Sequence, residues 1–246
     1  MIEIQNLTKH FGPVTAVANL SLTVRPGEVL GFLGPNGAGK STTMKMVTGY
    51  LAPDDGSVRI CGHDIVSDTL AAQRTLGYLP EGAPAYGEMT PRGFLSFIAH
   101  VRQLAGEEAR LAMQRAIAGA ELKAVLDQPI ETLSKGFRRR VGLAQAILHD
   151  PDVLILDEPT DGLDPNQKHA VRDLIRGMAR DKTIVISTHL LEEVEAICTR
   201  AVIIDQGRIV ADATPAELAA RAPSGRLDDV FRQITTRDTA VAGAAA

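Results

Sequence analysis

Residues 34–41 read Gly-Pro-Asn-Gly-Ala-Gly-Lys-Ser, an unbroken G-x-x-x-x-G-K-[ST] pattern, and this stretch constrains the fold more than any other. Such a loop binds the phosphates of a nucleotide because its backbone N–H groups converge on the anion. Gly34, Gly37 and Gly39 can take positive φ angles and let the backbone approach the phosphates closely. The pattern therefore predicts a strand, a phosphate-binding loop and a helix in that order, with a nucleoside triphosphate bound at the loop.

The flanking sequence agrees with that prediction. A short apolar run at residues 28–33 indicates a buried strand, and a helical pattern covers about 40–50, so the positive end of the helix dipole faces the anion. Lys40 is placed to reach the β- and γ-phosphates and Ser41 to ligate Mg²⁺, whereas the alternative is a plain glycine-rich turn. The candidate nucleotide-binding residues here are Gly34, Pro35, Asn36, Gly37, Ala38, Gly39, Lys40, Ser41 and Thr42.

Composition and charge exclude several classes of protein. The chain has 246 residues, of which 45% are hydrophobic and 23% charged, as in ordinary globular proteins. A net charge of −4 argues against a general nucleic-acid binder. No apolar run approaches the roughly 18 residues that span a bilayer, and the N-terminus does not look like a signal peptide, so we expect a cytosolic chain.

The hydrophobic pattern indicates an α/β fold with more than one layer. Residues 2–24 alternate apolar and polar side chains, which is typical of half-buried antiparallel strands. Residues 152–157 and 183–187 are continuous apolar runs, each followed by a helical pattern, as expected of central parallel strands. Residues 91–126 read as helical with no strand signal between them.

Two adjacent carboxylates follow one of the predicted central strands. Asp157 ends the run and Glu158 comes next, at the carboxyl end of the strand where α/β sheets bind ligands. Hydrolysis of a triphosphate needs a held Mg²⁺ and an oriented water. We expect Asp157 to hold the metal shell and Glu158 to polarise the water, and the alternative is that both cap the next turn.

A second motif connects these features. Residues 133–137, Leu-Ser-Lys-Gly-Phe, lie upstream of Asp-Glu-Pro-Thr at 157–160 and resemble the signature motif of the ATP-binding cassette (ABC) family. The other family motifs occur in order: an aromatic at the adenine-stacking position, Phe11; the Q-loop position, Glu81; the D-loop, Gly162-Leu163-Asp164; and the switch histidine, His189. The resemblance runs from Ile2 to about Pro215.

The resemblance implies a fold and a domain layout. The fold is that of P-loop NTPases, a RecA-like core with a parallel sheet, an antiparallel β subdomain at the N-terminus and an inserted α-helical subdomain. We expect one ABC ATPase domain at 1–236, with the ATP-binding core at about 1–84 and 151–220. The helical signature subdomain then lies at about 85–150, and 237–246 form a flexible tail.

The resemblance also implies a site for ATP and Mg²⁺. The predicted catalytic residues are Lys40, Glu158 and His189, and the predicted metal ligands are Ser41, Glu81 and Asp157. Besides the phosphate loop, the predicted nucleotide-binding residues are Phe11, Glu81, Ser134, Gly136 and Asp164. By resemblance, Ser134 contacts the γ-phosphate bound by another subunit. Local alternatives remain: His189 in the core or at a cap, Phe11 in packing, and Asp164 in a turn.

This chain departs from the common signature Leu-Ser-Gly-Gly-Gln, because Lys135 and Phe137 occupy the third and fifth positions. Glu81 stands where the family has a neutral Gln, which adds negative charge near the phosphates. We therefore expect reduced but real ATPase activity. The three arginines at 138–140 are interpreted as a solvated helix face rather than a phosphate clamp.

These departures resemble ATPase subunits of ABC-2 type exporters, including the gliding-motility-associated ones. The implied partners are a separate integral membrane permease and a second cassette, identical or paralogous, with no nucleic acid. The implied location is the cytoplasmic face of the inner or plasma membrane, and residues 81–97, which include Tyr86 and Met89, form the expected docking surface. The alternatives are a soluble ABC ATPase in DNA repair or translation and a P-loop small-molecule kinase.

Overall fold

The computed structural model describes residues 1–236, and the predicted tail at 237–246 lies outside that range. The strands are β1 (Ile2–Phe11), β2 (Val14–Val24), β3 (Val29–Leu33), β4 (Asp55–Ile60), β5 (His63–Asp64), β6 (Leu76–Leu79), β7 (Val153–Asp157), β8 (Thr183–Ser187), β9 (Arg200–Asp205) and β10 (Arg208–Ala213). The helices are α1 (Lys40–Val47), α2 (Thr69–Arg74), α3 (Pro91–Val101), α4 (Gly106–Gly119), α5 (Lys135–Ile147), α6 (Pro165–Met178), α7 (Leu191–Ile197), α8 (Pro215–Ala219) and α9 (Leu227–Thr236).

A six-stranded sheet forms the centre of the molecule, in the order β10-β9-β3-β8-β7-β6. The neighbours from β9 to β6 pair in parallel, and only β10 is antiparallel, at the edge. Every residue of β3, β7 and β8 is buried, because helices cover both faces of a parallel sheet. The predicted parallel α/β core is confirmed.

A second sheet of four strands, β2-β1-β4-β5, is antiparallel throughout. Its β1 and β2 show the predicted alternation, with residues such as Ile2, Ile4 and Leu22 buried. Those side chains join one hydrophobic cluster with Met44 of α1 and Phe32 of β3. The antiparallel N-terminal part is therefore present and packs across α1 onto the central sheet.

Helices α3, α4 and α5 enclose a hydrophobic cluster of their own, which includes Phe94, Ala116 and Val141. Helix α5 also contributes Leu143 and Ala146 to the cluster around the central strands. The predicted helical insertion is thus present, and α5 is the element that packs on both it and the sheet.

One helix limit differs from expectation. Helix α1 ends at Val47 rather than near residue 50, because Gly49 takes a φ of +77°, the left-handed conformation that terminates helices. Helix α9 contributes Leu227 and Phe231 to one hydrophobic cluster with residues of β9 and α7. The assigned subdomain boundaries stay predictions. Among residues 1–236, no helix combines the length and apolarity needed to cross a bilayer.

Candidate functional site

Four chain segments leave the same edge of the central sheet. Strand pairing sets Phe32 and Asp157 both opposite Ser187, so β3, β7 and β8 end side by side. The segments that follow β3, β6, β7 and β8 carry, in that order, the phosphate loop, Glu81, Glu158 and His189. The carboxyl edge of the sheet therefore brings together residues that are far apart in the sequence.

The phosphate loop has the conformation that its glycines were expected to allow, with one difference. Gly37 and Gly39 have φ of +81° and +102°, whereas Gly34 is not in the left-handed region. A side chain at Gly34 would instead collide with the carbonyl oxygen of Ile204, so close packing explains that glycine. No side chain caps the N-terminus of α1, which leaves its N–H groups to the loop and to an anion.

The Lys40 ammonium folds back onto its own loop. Its Nζ donates to the carbonyl oxygens of Gly34 at 2.6 Å and of Pro35 at 3.1 Å. Burial lowers the pKa of Lys40, and the carboxylates of Glu158 and Asp157 oppose that shift. The ammonium of Lys40 therefore interacts both with the phosphate loop and with the carboxylates of Asp157 and Glu158.

Asp157 is 5% exposed at the end of β7. Burial raises the pKa of its carboxyl, the negative charges of Glu81 and Glu158 act in the same direction, and Arg139 opposes them. A cation beside this carboxyl would stabilise its ionised form. Asp157 thus has the environment expected of a ligand that is completed by a bound metal.

Glu158 has an unusual backbone and a fixed side chain. Its φ is +51°, which costs a residue with a Cβ about 1–2 kcal/mol. Its N–H donates to the Ser187 carbonyl at 2.8 Å, one of the contacts that hold this conformation. Its carboxyl oxygens lie 2.7 Å from Nδ1 of His189 and 3.3 Å from Oγ1 of Thr188. The carboxylate is therefore oriented by residues that follow β8.

His189 is well exposed, with 62% of its side chain accessible against 17% for Glu158. It is neither a core residue nor a helix cap, because α7 begins at Leu191 with Leu190 as its N-cap. The histidine thus reaches Glu158 from the solvent side.

The donor set fits Mg²⁺. The candidate ligands are the Ser41 hydroxyl and the carboxylates of Asp157 and Glu81, all oxygen donors, as a hard cation prefers. Residues 1–236 contain no group of three or more histidine, cysteine or carboxylate side chains that could hold a metal by themselves. Mg²⁺ is commonly bound by one or two carboxylates together with substrate phosphates, which matches so small a set.

The signature residues begin helix α5. Ser134 is its N-cap, and its exposed Oγ accepts a hydrogen bond from the Phe137 N–H at 3.3 Å. Gly136 is buried, since an added Cβ would lie 2.8 Å from Oε1 of Gln167. Lys135 forms an ion pair with Asp161 at 2.8 Å, so part of its added charge is compensated within the chain.

The arginine run is not the solvated face that we expected. Arg138 is exposed, but Arg139 and Arg140 are each only 5% exposed. The Arg140 guanidinium lies 4.2 Å from the Phe137 ring centre and contacts Glu121 at 3.2 Å. Phe137 therefore packs against a cation where the common motif has a polar Gln.

Arg139 is a site residue that the sequence analysis missed. Its guanidinium donates to the carbonyl oxygens of Pro80, Asp157 and Glu158. A signal existed, because residues 136, 139, 140 and 143 follow the i, i+3, i+4, i+7 spacing of a buried helix face. The three charges in a row outweighed that spacing in our interpretation.

Phe11 and Asp164 lie at the margins of the site. Phe11 is 51% exposed at the β1–β2 turn, opposite Val14. From there β2 leads to Ala16, whose carbonyl oxygen a Cβ at Gly39 would strike, and Nζ of Lys9 lies 5.9 Å from the Phe11 ring centre. Asp164 caps α6 by accepting the Gln167 N–H at 2.9 Å, a local structural role.

A groove of about 1070 Å³ runs along the molecule beside this site. Its lining includes large hydrophobic side chains that remain exposed: Tyr50, Leu70, Tyr86, Phe97 and Val101. Groups of exposed apolar side chains are typical of interaction sites. Part of the expected docking surface at residues 81–97 forms one wall of the groove.

Comparisons with known proteins agree with these features. The family described as "ABC transporter" matches residues 17–161. A Nod factor export ATP-binding protein I of Paraburkholderia xenovorans is 39% identical over 220 residues, which cover 89% of this chain and 72% of that protein. A solved ATP-binding subunit of an ABC transporter superposes with a TM-score of 0.87 at 27% identity, covering 95% of this chain and 99% of that one. A dimeric bacterial ABC transporter cassette, 23% identical with a TM-score of 0.81 over 87% of this chain and 99% of its own, shares the fold.

Proposed function

The chain belongs to the ABC transporter family, and on that premise we propose that this ATPase powers export through a separate membrane permease. The observation that carries the proposal is the contact of 2.7 Å between Glu158 and His189, at the sheet edge that also holds the phosphate loop. The similarity to a protein named for export supports the direction of transport.

We assign the hydrolytic roles by position. The phosphate loop and Lys40 bind the triphosphate through N–H groups and one ammonium. Glu158 polarises the attacking water, and His189 orients the Glu158 carboxylate to which it is hydrogen-bonded. Glu158 is suited to that role because its backbone and carboxyl are both held.

Ser41, Asp157 and Glu81 would hold Mg²⁺, which supplies positive charge to the phosphate oxygens when bound. Phe11 would stack on the adenine, for which its ring at the hairpin end is 51% exposed. All of these assignments use side chains of the same chain that carries the phosphate loop.

The opposite side of the site is proposed to be closed by a second cassette, identical or paralogous. Ser134 and the N-terminus of α5 would meet the γ-phosphate held by the facing chain, with Gly136 allowing close approach and Asp164 following in the D-loop. The exposed Ser134 hydroxyl at a helix N-terminus suits an anion.

The groove beside α3 is proposed to receive a cytoplasmic segment of the permease. Its exposed aromatic and aliphatic side chains fit an amphipathic helix better than a polar partner. On this proposal the protein works at the cytoplasmic face of the inner or plasma membrane.

The two alternative functions are less well supported. A soluble ABC ATPase of DNA repair or translation gives no role to the apolar groove. A small-molecule kinase gives no role to Glu158 beside His189 or to the signature residues at the start of α5.

The substitution Glu158→Gln tests the proposal. Without the carboxylate we expect phosphate release to fall by about a hundredfold or more, while ATP still binds. Phosphate release and equilibrium ATP binding on the purified chain measure both. Glu195→Gln, the same change at an exposed position of α7, is the control and should behave as wild type. Undiminished phosphate release by Glu158→Gln would refute the assignment.

A further inference from the structure

Arg139 places a buried cation directly beneath the carboxylates of the candidate site. It lies on the inner face of α5 and is 5% exposed. Nε donates to the Glu158 carbonyl at 2.8 Å, one terminal nitrogen to the Pro80 carbonyl at 3.0 Å, and the other to the carbonyls of Asp157 and Glu158. The guanidinium thus binds only backbone acceptors, in a planar fork that no other side chain can reproduce.

These carbonyl groups belong to the two chain segments that follow β6 and β7 at the edge of the sheet. The carbonyls of Asp157 and Glu158 belong to the peptide bonds on either side of Glu158, the residue with a φ of +51°. The carbonyl of Pro80 belongs to the peptide bond that leads into Glu81. One side chain of the signature helix therefore holds the backbone of Glu158 and of Glu81 together.

The charge of Arg139 has equally specific surroundings. The carboxylates of Asp161, Asp157, Glu158 and Glu81 all interact favourably with this cation. Lys40 faces three of these carboxylates from the phosphate loop, so Arg139 is not their sole counter-charge. Glu81 is the carboxylate that the common family pattern lacks, and it directly follows the Pro80 carbonyl that Arg139 binds at 3.0 Å. Arg139 offsets part of the charge that Glu81 adds, the smallest of its four carboxylate interactions.

We propose that Arg139 is a positioning residue for ATP hydrolysis: it fixes the backbone of Glu158 and supplies the counter-charge that permits a carboxylate at position 81. The inference rests on the proposed function, because it acts through Glu158 and Glu81. It predicts that a carboxylate at the Q-loop position leaves triphosphate binding intact.

A double-mutant cycle between Arg139→Gln and Glu81→Gln tests the proposal. Arg139→Gln should lower kcat by about tenfold or more, since it loses both the charge-assisted hydrogen bonds to the Glu158 backbone and the counter-charge to Glu81, and only the second loss can be rescued at position 81. Glu81→Gln alone should change turnover only modestly. The double variant should recover several-fold over Arg139→Gln, because removal of one carboxylate restores the charge balance.

A second readout does not depend on catalysis. ATP affinity measured in EDTA should fall several-fold in Arg139→Gln, where the carboxylate of Glu81 has lost one of its two counter-charges, and should return in the double variant. The proposal would be overturned if the effects of Arg139→Gln and Glu81→Gln simply multiplied in the double variant, both in kcat and in ATP affinity. If Arg139→Gln does not fold, Arg139→Lys takes its place: with the charge kept and the fork lost, kcat falls while ATP affinity in EDTA stays at the wild-type value. An affinity that falls as far as kcat would overturn the proposal.

Arg140→Gln is the matched control. Arg140 is equally buried on the next position of α5 but contacts Glu121 and Phe137 instead. Its effects should multiply with those of Glu81→Gln, with no rescue. Phosphate release by the wild type and by Glu158→Gln distinguishes a failure of the proposed function from a failure of this inference. If Glu158→Gln leaves turnover intact, the proposed function is wrong. If only the rescue of Arg139→Gln by Glu81→Gln is missing, the inference about Arg139 is wrong.

Discussion

His149 shows how one buried side chain makes the stability of this protein depend on pH. Its Nε2 lies 3.1 Å from the carbonyl oxygen of Leu76, and its Nδ1 has no hydrogen-bond partner among the described residues. Burial, and then the nearby charge of Arg102, lowers the pKa of His149 to about 4. The folded protein therefore keeps this imidazole neutral well below the pH at which a free histidine gains a proton.

We predict that His149 lowers the free energy of unfolding of the protein in acid. The unfolded chain binds the proton first, near the ordinary value of 6.5, so the contribution is complete above that pH and is lost as the pH falls toward about 4. His149→Gln can still donate to Leu76 but does not titrate. Urea midpoints at about pH 7.5 and about pH 5 should therefore drop less in the variant. Equal drops in both proteins would contradict this account.

At the residue scale, the sequence identified the right stretches more reliably than it identified what each side chain contacts. The phosphate loop, Glu158 and His189 follow buried strands, and that pattern is visible in one chain. The burial of Arg139 was missed because charge is a poor guide when the acceptors are carbonyls that come from distant segments. The capping role of Ser134 depends on where α5 begins, and the structure sets that start at Lys135.

At the scale of elements, helix α5 determines most of the architecture of the site. It begins with the signature, sends Arg139 to the sheet edge and packs Leu143 and Val141 into two different clusters. Strands with continuous apolar runs were predicted at β7 and β8. Neither β6 nor β9 was predicted: β6 has only four residues, and β9 is recognisable mainly from its pairing with β3.

The expected docking surface at residues 81–97 is also a feature at the scale of elements. Tyr86 is 52% exposed, and its ring meets Phe97 edge-on at 5.8 Å. Met89, expected to act with it, packs against the helical cluster, and its carbonyl accepts the Ile130 N–H at 2.9 Å. A charge at Met89 would therefore disturb folding as well as docking, so Tyr86 is the cleaner position for a test.

We predict that Tyr86→Glu uncouples the chain from its permease while ATP binding stays unchanged, because a charge would be buried in an apolar contact. The measurement is the fraction of tagged chain recovered with the membranes of its host, together with ATP affinity of the purified variant. Val210→Glu, at the opposite edge of the central sheet and 44% exposed, is the control. Membrane recovery of Tyr86→Glu equal to that of the control would rule out this docking face.

At the scale of the whole molecule, the proposed function makes the phosphate loop one half of a composite site. Lys40, Asp157 and Glu158 meet at one sheet edge, whereas Ser134 begins a helix on the inserted layer. The account therefore requires two chains per pair of nucleotides, with each signature helix facing the other chain's phosphates. The Glu158 substitution should trap this state, because ATP binds and is not consumed.

Sedimentation velocity of Glu158→Gln with saturating ATP tests this claim most directly. We predict a dimer in ATP and a monomer without nucleotide. Ser134→Asp in the same background keeps an N-cap acceptor for α5, and with it the melting temperature, but sets a carboxylate against the facing phosphates and should remain monomeric. A Glu158→Gln chain that binds ATP and stays monomeric would contradict the account, as would a dimer that Ser134→Asp leaves intact.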